Sequence, residues 1–144
     1  MGRIVAICTS VQKGTQKKEV SKINLVENFG LEGDAHGGNW HRQVSLLSHE
    51  SIEDFKTRGA IVDFGSFGEN LIVEGLDFSK LLVGERVLGE NFEMEITQIG
   101  KECHTRCKIY DMVGDCIMPK EGLFAKVIKG GEIKKDDIIN IKEK

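Results

Sequence analysis

Short apolar runs, separated by glycines and polar turns, recur along most of the chain. Each run is four to eight residues long and rich in Val, Ile, Leu and Phe, which is the pattern of β-strands. The predicted strands cover residues 3–8, 21–27, 43–48, 70–74, 85–88, 92–99, 123–128 and 137–142. Many short strands joined by glycine turns favour a β-barrel or a β-sandwich.

One segment has the pattern of an α-helix. Ser48 is a suitable N-cap, because its hydroxyl oxygen can accept a hydrogen bond from a free backbone N–H of the first turn. Gly59 is a suitable stop. Ile52 and Phe55 would share the buried face of the helix. The sequence therefore predicts a mainly β fold with one main short helix over residues 49–58.

Length and charge limit the classes of protein that fit the chain. Its 144 residues are enough for one hydrophobic core without disulfides, and no repeat, linker or low-complexity segment divides them. We therefore expect a single domain over residues 1–144. The net charge of −3 does not provide the positive field that non-specific nucleic-acid binding requires. We expect no nucleic-acid partner.

The apolar run near the N-terminus has the pattern of neither a signal peptide nor a membrane span. It spans only residues 4–8, which is too short for a signal peptide, and no window approaches the roughly 20 apolar residues of a membrane span. We therefore expect a cytoplasmic protein in which the four cysteines stay reduced. Cys8 belongs to this apolar strand, and we expect it to be a buried, inert thiol.

The other three cysteines, Cys103, Cys107 and Cys116, lie within fourteen residues of one another. A thiolate is the nucleophilic form of cysteine and a ligand for soft metals, and nearby cations lower the pKa of a thiol. The same cations could bind a cofactor phosphate. The basic residues beside these cysteines are Lys101, His104, Arg106 and Lys108.

Two other interpretations of this cysteine-rich stretch stay open. The cysteines could be small hydrophobic residues of a strand and a turn. Alternatively, Cys103, His104, Cys107 and Cys116 could supply four ligands to a structural zinc ion. The Cys-x-x-x-Cys spacing is, however, looser than the usual Cys-x-x-Cys, and no second pair occurs in the chain.

A second informative stretch is Gly-Leu-Glu-Gly-Asp-Ala-His-Gly-Gly at residues 30–38. Its four glycines allow the backbone to approach a ligand closely and to present N–H groups to it. Asp34 could orient His36 or accept a hydrogen bond from a cofactor. The Lys-Ser/Thr ending of a phosphate-binding loop is missing. The alternative is a glycine-rich turn with a satisfied Asp34 and a surface His36.

Six blocks of the chain, taken in order, resemble the MOSC domain, which is named for the C-terminal part of molybdenum cofactor sulfurases. The blocks are Gly-Leu-Glu-Gly-Asp-Ala-His-Gly (30–37), Arg-Gln-Val-Ser-Leu-Leu (42–47), Phe-Gly-Glu-Asn-Leu (67–71), Val-Gly-Glu-Arg-Val (83–87), the cysteine-rich stretch and Ala-Lys-Val-Ile-Lys-Gly-Gly (125–131). The resemblance covers about residues 20–142 and is closest to the small stand-alone members. It implies a closed β-barrel with one or two short helices.

The resemblance also implies a reactive cysteine and a cofactor pocket. Larger relatives carry an Arg-Cys pair at the reactive position, which matches Arg106 and Cys107, whereas others carry a Pro-Cys pair that would align with Glu102 and Cys103. Cys107 and Cys103 are therefore nearly equal candidates for the catalytic cysteine and the molybdenum ligand, and Cys116 is the third catalytic candidate. The cofactor-binding residues that the resemblance implies are Asp34, His36, Gly37, Arg42, Asn70, Arg106 and Lys108.

The function implied by the resemblance is molybdenum cofactor binding or sulfur transfer. A cysteine would carry sulfur as a persulfide or ligate molybdenum, in cofactor sulfuration or metal–sulfur cluster assembly, while loops hold the phosphate of molybdopterin. A partner cysteine desulfurase, which would contain any pyridoxal phosphate, would supply the sulfur for a sulfurtransferase-like activity. A molybdoenzyme or a cofactor-biosynthesis protein would accept the sulfur. The alternatives are a molybdenum-dependent reductase of N-hydroxylated substrates and a zinc-binding, non-enzymatic module.

Overall fold

Eleven strands, one α-helix and one 3-10 helix form the described part of the computed structural model, which comprises residues 1–11, 17–35, 37–57, 64–65, 67–100 and 122–143. The strands are β1 (Gly2–Thr9), β2 (Lys18–Val20), β3 (Lys22–Val26), β4 (Gly30–Leu31), β5 (Val44–Ser48), β6 (Leu71–Glu74), β7 (Arg86–Leu88), β8 (Glu93–Ile99), β9 (Leu123–Lys129), β10 (Gly131–Lys134) and β11 (Ile138–Lys142). The α-helix α1 covers His49–Thr57, and the 3-10 helix covers Phe78–Lys80. In the described ranges, no helix is long and apolar enough to cross a membrane.

Seven strands close into a barrel in the order β1-β11-β7-β8-β9-β5-β6, and β6 pairs with β1 to complete the ring. The strand pairs of the ring are antiparallel except β5 with β6, which are parallel and connected through α1. Parallel neighbours need such a crossover, because a tight turn can only reverse the chain. The later residues of β1 pair with β2, and a separate sheet has the order β10-β3-β4.

The apolar side chains form two clusters, one inside the barrel and one beneath the helix. The interior is filled by alternate residues of the ring strands, which include Ile4, Leu46, Leu71, Met94, Ile96 and Leu123. In the second cluster, Ile52 and Phe55 of α1 pack with residues that the same strands turn outward, namely Val5, Ala6, Cys8, Leu47, Ile72 and Phe124. Strands β1, β5, β6 and β9 are therefore buried on both faces.

The prediction of a mainly β barrel is confirmed, and all eight predicted strands are present. The sequence pattern missed β2, β4 and β10, because they are only two to four residues long and carry few apolar side chains. The helix begins as predicted, since the Ser51 N–H donates to Ser48 Oγ over 3.3 Å. Ile52 and Phe55 are buried as expected. The predicted stop at Gly59 lies outside the described residues.

Strand β8 contains a bulge that changes which face its last residues take. The pairing of β8 with β9 shifts register between Ile96 and Gln98, so alternation of apolar and polar positions holds up to Ile96 and then slips by one residue. Ile99, at the end of the strand, is 46% exposed although it is apolar. Gln98 pairs with Phe124, whose side chain faces outward, and Ile99 pairs with Leu123, which faces the barrel interior.

Candidate functional site

The hairpin of β8 and β9 carries the cysteine-rich stretch. Residues 101–121, here called the cysteine segment, connect the two strands and lie outside the described residues, together with the predicted site residues Cys103, Arg106, Cys107, Lys108 and Cys116. The Gly100 N–H donates to the Gly122 carbonyl oxygen over 2.6 Å. Both ends of the cysteine segment are therefore attached at one point of the barrel.

A polar cluster lies on the outer face of this hairpin end. The side-chain oxygen of Gln98 accepts hydrogen bonds from Arg42 Nε and from His41 Nε2, each over 2.9 Å. Gln98 Nε2 donates to the Gly100 carbonyl oxygen over 2.8 Å. The guanidinium of Arg42 lies 5.3 Å from the centroid of the Phe124 ring, within the range of a cation–π contact. The predicted site residue Arg42 is thus held beside the base of the cysteine segment.

Arg42 differs in its partners from Arg3 and Arg86, the other two arginines that the structure describes. Arg3 pairs with Glu74 and Asp136, and Arg86 pairs with Glu93 and Glu95. Among the described residues, by contrast, Arg42 forms no ion pair with a carboxylate. No described carboxylate binds its two terminal nitrogens, which are the usual bidentate donors to phosphate or carboxylate.

A cavity of about 500 Å³ lies on the other side of the same hairpin end. Ile99, Gly122 and Leu123 form one wall. The opposite wall comes from the first turn of α1 and from the loop that contains the 3-10 helix, with Ser48, Ser51, Phe78 and Ser79 among the lining residues. Gly100 and Gly122, which flank the cysteine segment, therefore lie between a largely apolar cavity lined in part by hydroxyl groups and the basic cluster of Arg42 and His41.

Asp34 lies in a different cluster, at the C-terminal end of β1. Its Oδ1 accepts hydrogen bonds from Lys17 Nζ over 2.8 Å, from Thr9 Oγ1 over 3.0 Å and from the Ser10 N–H over 3.0 Å. The Lys17 ammonium also donates to Ser10 Oγ over 3.2 Å. The side chains of Lys17 and Asp34 are both completely buried. The described contacts of Asp34 therefore join the glycine-rich loop to β1.

Asn70 connects three strands of the barrel. Its side-chain oxygen accepts from the Ser45 N–H over 3.0 Å and from Ser45 Oγ over 3.1 Å, and its Nδ2 donates to the Cys8 carbonyl oxygen over 3.0 Å. Asn70 is 0% exposed. The residue predicted to bind a cofactor is thus placed inside the protein, where its amide joins the start of β6 to β1 and β5.

Glu69, next to Asn70, is a completely buried carboxylate. Its two oxygens accept from the Gly65 and Phe67 N–H groups over 3.1 and 3.0 Å. Burial raises the pKa of Glu69 to about 7, although hydrogen bonds from the backbone N–H groups of Glu69, Gly65 and Phe67 and the charge of Lys17 act in the opposite direction. Glu69 therefore changes its charge near neutral pH inside the folded protein.

The glycine-rich loop follows β4 and is closely packed. A Cβ on Gly30 would lie 2.6 Å from the Gln43 carbonyl oxygen, and one on Gly37 would lie 2.3 Å from the Phe29 ring. The buried Gln43 side chain in turn donates to Asn28 Oδ1 and accepts from the Val127 N–H. The closely packed loop is followed in the chain by Arg42. The predicted site residue Gly37 lies against Phe29, and His36 lies outside the described residues.

Cys8 is buried beneath α1, as the sequence predicts. Burial raises the pKa of its thiol well above the usual range, and the nearby charges of Glu69 and Glu19 raise it further. A buried thiol with a raised pKa is a poor nucleophile. Within the described ranges, no group of three His, Cys, Asp or Glu side chains is arranged to hold a metal ion.

Two residues of these clusters, Gln98 and Lys17, were missed by the sequence interpretation. His41 and Gln98 meet at the hairpin end although they are 57 positions apart. Lys17 is one of several lysines in a polar run, and nothing in that run distinguishes it from its exposed neighbour Lys18. His41, directly before the matched block 42–47, is a possible cation beside Arg42 on the sequence alone.

Comparison with known proteins gives a family and a set of similar folds. The family model of the MOSC domain matches residues 32–140. No curated protein sequence matches the chain.

Three solved structures illustrate the fold. The chain is similar to the YuaD protein from Bacillus subtilis, with a TM-score of 0.81, 17% identity, and coverage of 100% of this chain and 97% of YuaD. It is also similar to YiiM from Escherichia coli, with a TM-score of 0.69, 20% identity and coverage of 99% and 70% of the two chains. For YiiM from Geobacillus stearothermophilus the TM-score is 0.74, the identity 17% and the coverage 99% and 76%. The family match covers most of the chain and the fold agrees with it, so the chain belongs to the MOSC domain family.

Proposed function

We propose that this protein binds the molybdenum cofactor or carries sulfur for it, through a thiolate of the cysteine segment. The family is associated with the molybdenum cofactor. The observation that carries the proposal is the position of Arg42, which is held by Gln98 and Phe124 beside the base of the cysteine segment and has no carboxylate partner among the described residues. A cation at this point favours a thiolate, a persulfide anion and a phosphate alike.

Covalent geometry favours Cys103 over Cys107 as the thiolate near Arg42. Successive Cα atoms span at most about 3.6 Å each, so the Cα of Cys103, three residues after Gly100, stays within about 11 Å of the Gly100 Cα. Cys107 is seven residues from Gly100, and its limit is about 25 Å. Gly100 accepts a hydrogen bond from Gln98, which also binds Arg42. The covalent chain therefore limits how far Cys103 can lie from Gly100, whose carbonyl oxygen binds the same Gln98 side chain as Arg42.

The residues at the hairpin end fit a phosphate-bearing cofactor. The terminal nitrogens of Arg42 would hold its phosphate, with Arg106 and Lys108 of the cysteine segment as further candidates. Any bond to molybdenum would come from Cys103 or Cys107, because the described residues contain no cluster of metal ligands. When bound, the cofactor would supply oxygen-atom and electron transfer. Asp34 and Asn70 contribute through the framework that positions the glycine-rich loop.

Sulfur transfer to the protein needs no oxidant. The thiolate attacks the terminal sulfur of a persulfide on a partner cysteine desulfurase, a new S–S bond forms, and the S–S bond of the donor breaks. The donor cysteine leaves as a thiolate, so the reaction is an exchange at sulfur. The product is a persulfide on this protein, which a molybdoenzyme or a cofactor-biosynthesis protein then receives. A reducing compartment such as the cytoplasm is part of this proposal.

The test measures sulfur and metal separately on the purified protein. One sample is incubated with a cysteine desulfurase, pyridoxal phosphate and cysteine, and intact mass spectrometry counts added sulfur atoms. A second sample comes from a molybdate-fed host and is analysed for molybdenum and zinc. We expect one added sulfur, or bound molybdenum, on the wild type. Cys103→Ser should abolish the signal and Arg42→Gln should reduce it several-fold, whereas Cys8→Ser should leave it unchanged.

Other results would overturn the proposal. Stoichiometric zinc without sulfur or molybdenum would favour the zinc-binding module. Loading that survives replacement of both Cys103 and Cys107 would exclude the proposed thiolates. A third outcome would favour the reductase. In that outcome, molybdenum stays bound only in variants that cannot accept sulfur, and the protein turns over an N-hydroxylated substrate.

A further inference from the structure

The carboxylate of Glu69 holds a turn of the backbone from inside. The described residues of this turn are Gly65, Phe67, Gly68 and Glu69, here called the Glu69 turn. One oxygen of Glu69 accepts from the Gly65 N–H over 3.1 Å, and the other accepts from the Phe67 N–H over 3.0 Å. The Gly68 N–H donates to the Gly65 carbonyl oxygen over 3.0 Å. Because Glu69 is 0% exposed, water does not reach this carboxylate while the turn is closed.

Lys17 joins the Glu69 turn to the glycine-rich loop. Its backbone N–H donates to the Gly65 carbonyl oxygen over 2.9 Å, and a Cβ on Gly65 would lie only 2.1 Å from the Lys17 carbonyl oxygen. At its other end, the Lys17 ammonium donates to Asp34 Oδ1 over 2.8 Å, and both side chains are completely buried. Since the two backbones are packed without a gap, an opening of the turn that moves Gly65 also displaces Lys17.

Asp34 fixes the glycine-rich loop to the end of β1. Its Oδ1 accepts from Thr9 Oγ1 and from the Ser10 N–H, each over 3.0 Å, and the Ala35 N–H donates to the Ser10 carbonyl oxygen over 2.7 Å. A buried carboxylate that loses its cation is strongly destabilised, so this attachment of the loop depends on the position of Lys17. A series of described contacts therefore connects the Glu69 turn to the loop.

Burial dominates the electrostatic surroundings of Glu69. It raises the pKa of Glu69 to about 7, against the lowering effect of the backbone hydrogen bonds and of the charge of Lys17. In an open turn, water reaches the carboxylate and this penalty on its ionisation disappears. The charged and titratable groups that the described elements place around the Glu69 turn are Cys8 of β1, Lys17 and Glu19 at β2, Asp34 of the glycine-rich loop, and His49 and Lys56 of α1, which lie against the Phe64 ring.

We infer that Glu69 and Lys17 form a pH-sensitive support of the glycine-rich loop: the loop is held against β1 while Glu69 is protonated and is released when Glu69 ionises. The inference goes beyond the proposed function, because it concerns the loop and not the thiolate. The direction follows from linkage, since a group that binds its proton more tightly in the closed state favours that state at low pH. With pKa values of about 7 closed and 4.5 open, the equilibrium constant for opening increases by up to about 70-fold between pH 5 and pH 8.

Amide hydrogen exchange, measured by nuclear magnetic resonance and corrected for the intrinsic exchange rate at each pH, tests this coupling. The reporter amides are Gly65 and Phe67 in the turn and Ser10 and Ala35 at the attachment of the loop. We expect the protection of all four to fall by about 10- to 70-fold from pH 5 to pH 8 in the wild type. Constant protection at Ser10 and Ala35, while that of Gly65 and Phe67 falls, would overturn the inference.

The same measurement separates local opening from global unfolding. At each pH the four reporter amides should exchange faster than the amides of β8 and β9, and low concentrations of urea should leave their exchange unchanged. Reporter amides that exchange as slowly as β8 and β9, with the same dependence on urea, would show that the loop has no separate opening and would also overturn the inference.

A first pair of variants identifies the titrating group. In Glu69→Gln, the protection at Ser10 and Ala35 should differ by less than about twofold between pH 5 and pH 8, because the ionisation is removed. The control Glu32→Gln, which removes an exposed carboxylate of the loop itself, should retain the change of the wild type. A change that survived Glu69→Gln would belong to another group, such as His49, and would exclude the proposed support.

A second pair tests the role of Lys17. At pH 8, Glu69→Gln should raise the protection at Ser10 in a Lys18→Met background, where the connection is intact. In a Lys17→Met background it should have no effect there, because the turn and the loop are no longer joined. An equal effect in both backgrounds would show that Lys17 does not connect them. Circular dichroism establishes that each variant is folded, and if Lys17→Met is not, the first pair of variants decides the outcome.

Discussion

Lys17 Nζ lies 2.8 Å from Asp34 Oδ1, and neither side chain is exposed to solvent. Breaking such a buried pair by removing one partner leaves an uncompensated charge and costs about 3–5 kcal/mol. We therefore expect Lys17→Met to lower the free energy of unfolding by this amount in a urea titration. Lys18→Met, one residue further and exposed, should change it by less than about 0.5 kcal/mol. Equal stabilities of the two variants would show that the pair contributes little.

The raised pKa of Glu69 predicts that the free energy of unfolding depends on pH. Its pKa is raised by burial from 4.5 to about 7, so the folded state binds the proton more tightly than the unfolded state. The contribution of Glu69 to stability is therefore complete below about pH 4.5 and is lost as the pH rises towards 7, by up to the order of 3 kcal/mol. Urea titrations at several pH values should show this decline in wild type.

Glu69→Gln removes the titrating group, and its stability should fall less between pH 5 and 8 than that of wild type. Its amide cannot accept from both Gly65 and Phe67, which should cost about 1 kcal/mol at pH 5. Glu32→Gln, at an exposed position, should retain the slope of wild type. The same slope in Glu69→Gln would show that the decline has another source.

Gly30 and Gly33 form a matched pair for testing the packing of the glycine-rich loop. Both have positive φ values, +126° and +74°, but a Cβ on Gly30 would lie 2.6 Å from the Gln43 carbonyl oxygen, whereas one on Gly33 would contact nothing within 4 Å. Gly33→Ala should cost about 1 kcal/mol for the backbone conformation alone. Gly30→Ala should cost at least about 1–3 kcal/mol more, as measured by thermal melting. If both variants lost the same amount of stability, the backbone around Gly30 could shift to accommodate the added Cβ without further cost.

The cysteines should differ in reactivity. Because the Cys8 thiol is buried and its pKa is raised, iodoacetamide near neutral pH should modify Cys103 or Cys107 well before Cys8 in the folded protein. Peptide mass spectrometry gives the rate at each position. In denaturant all four cysteines should label at similar rates, which is the control for intrinsic reactivity. Similar rates in the folded protein would argue against a privileged thiolate.

The strands could be predicted from the sequence because one or both faces of each are buried in apolar cores. Alternation then appears directly in the residue types, as in residues 92–96. The short strands β2 and β10 were not predicted, because their side chains are mostly polar and backbone pairing leaves no such pattern in the sequence. The slip after Ile96 was also not predicted, since a bulge depends on the partner strand.

The candidate site was only partly predictable for a different reason. Arg42 could be named from its sequence block, and the structure places it at the end of the hairpin that carries the cysteine segment. Asp34 was named as well, but its partner Lys17 depends on a burial that the polar run around it does not reveal. Gln98 looks like an ordinary strand residue in the sequence. Its place in the polar cluster arises only from contacts with residues distant in sequence.

The hydrogen bond between Gly100 and Gly122 has a consequence for how the connection between these two residues can vary in length. Because the ends of the 21-residue connection already meet on the barrel, its length can change at a cost that grows only with the logarithm of the number of residues. Insertions and deletions there need not open a strand pair of the barrel. The stability of the scaffold is therefore largely uncoupled from the length of this connection.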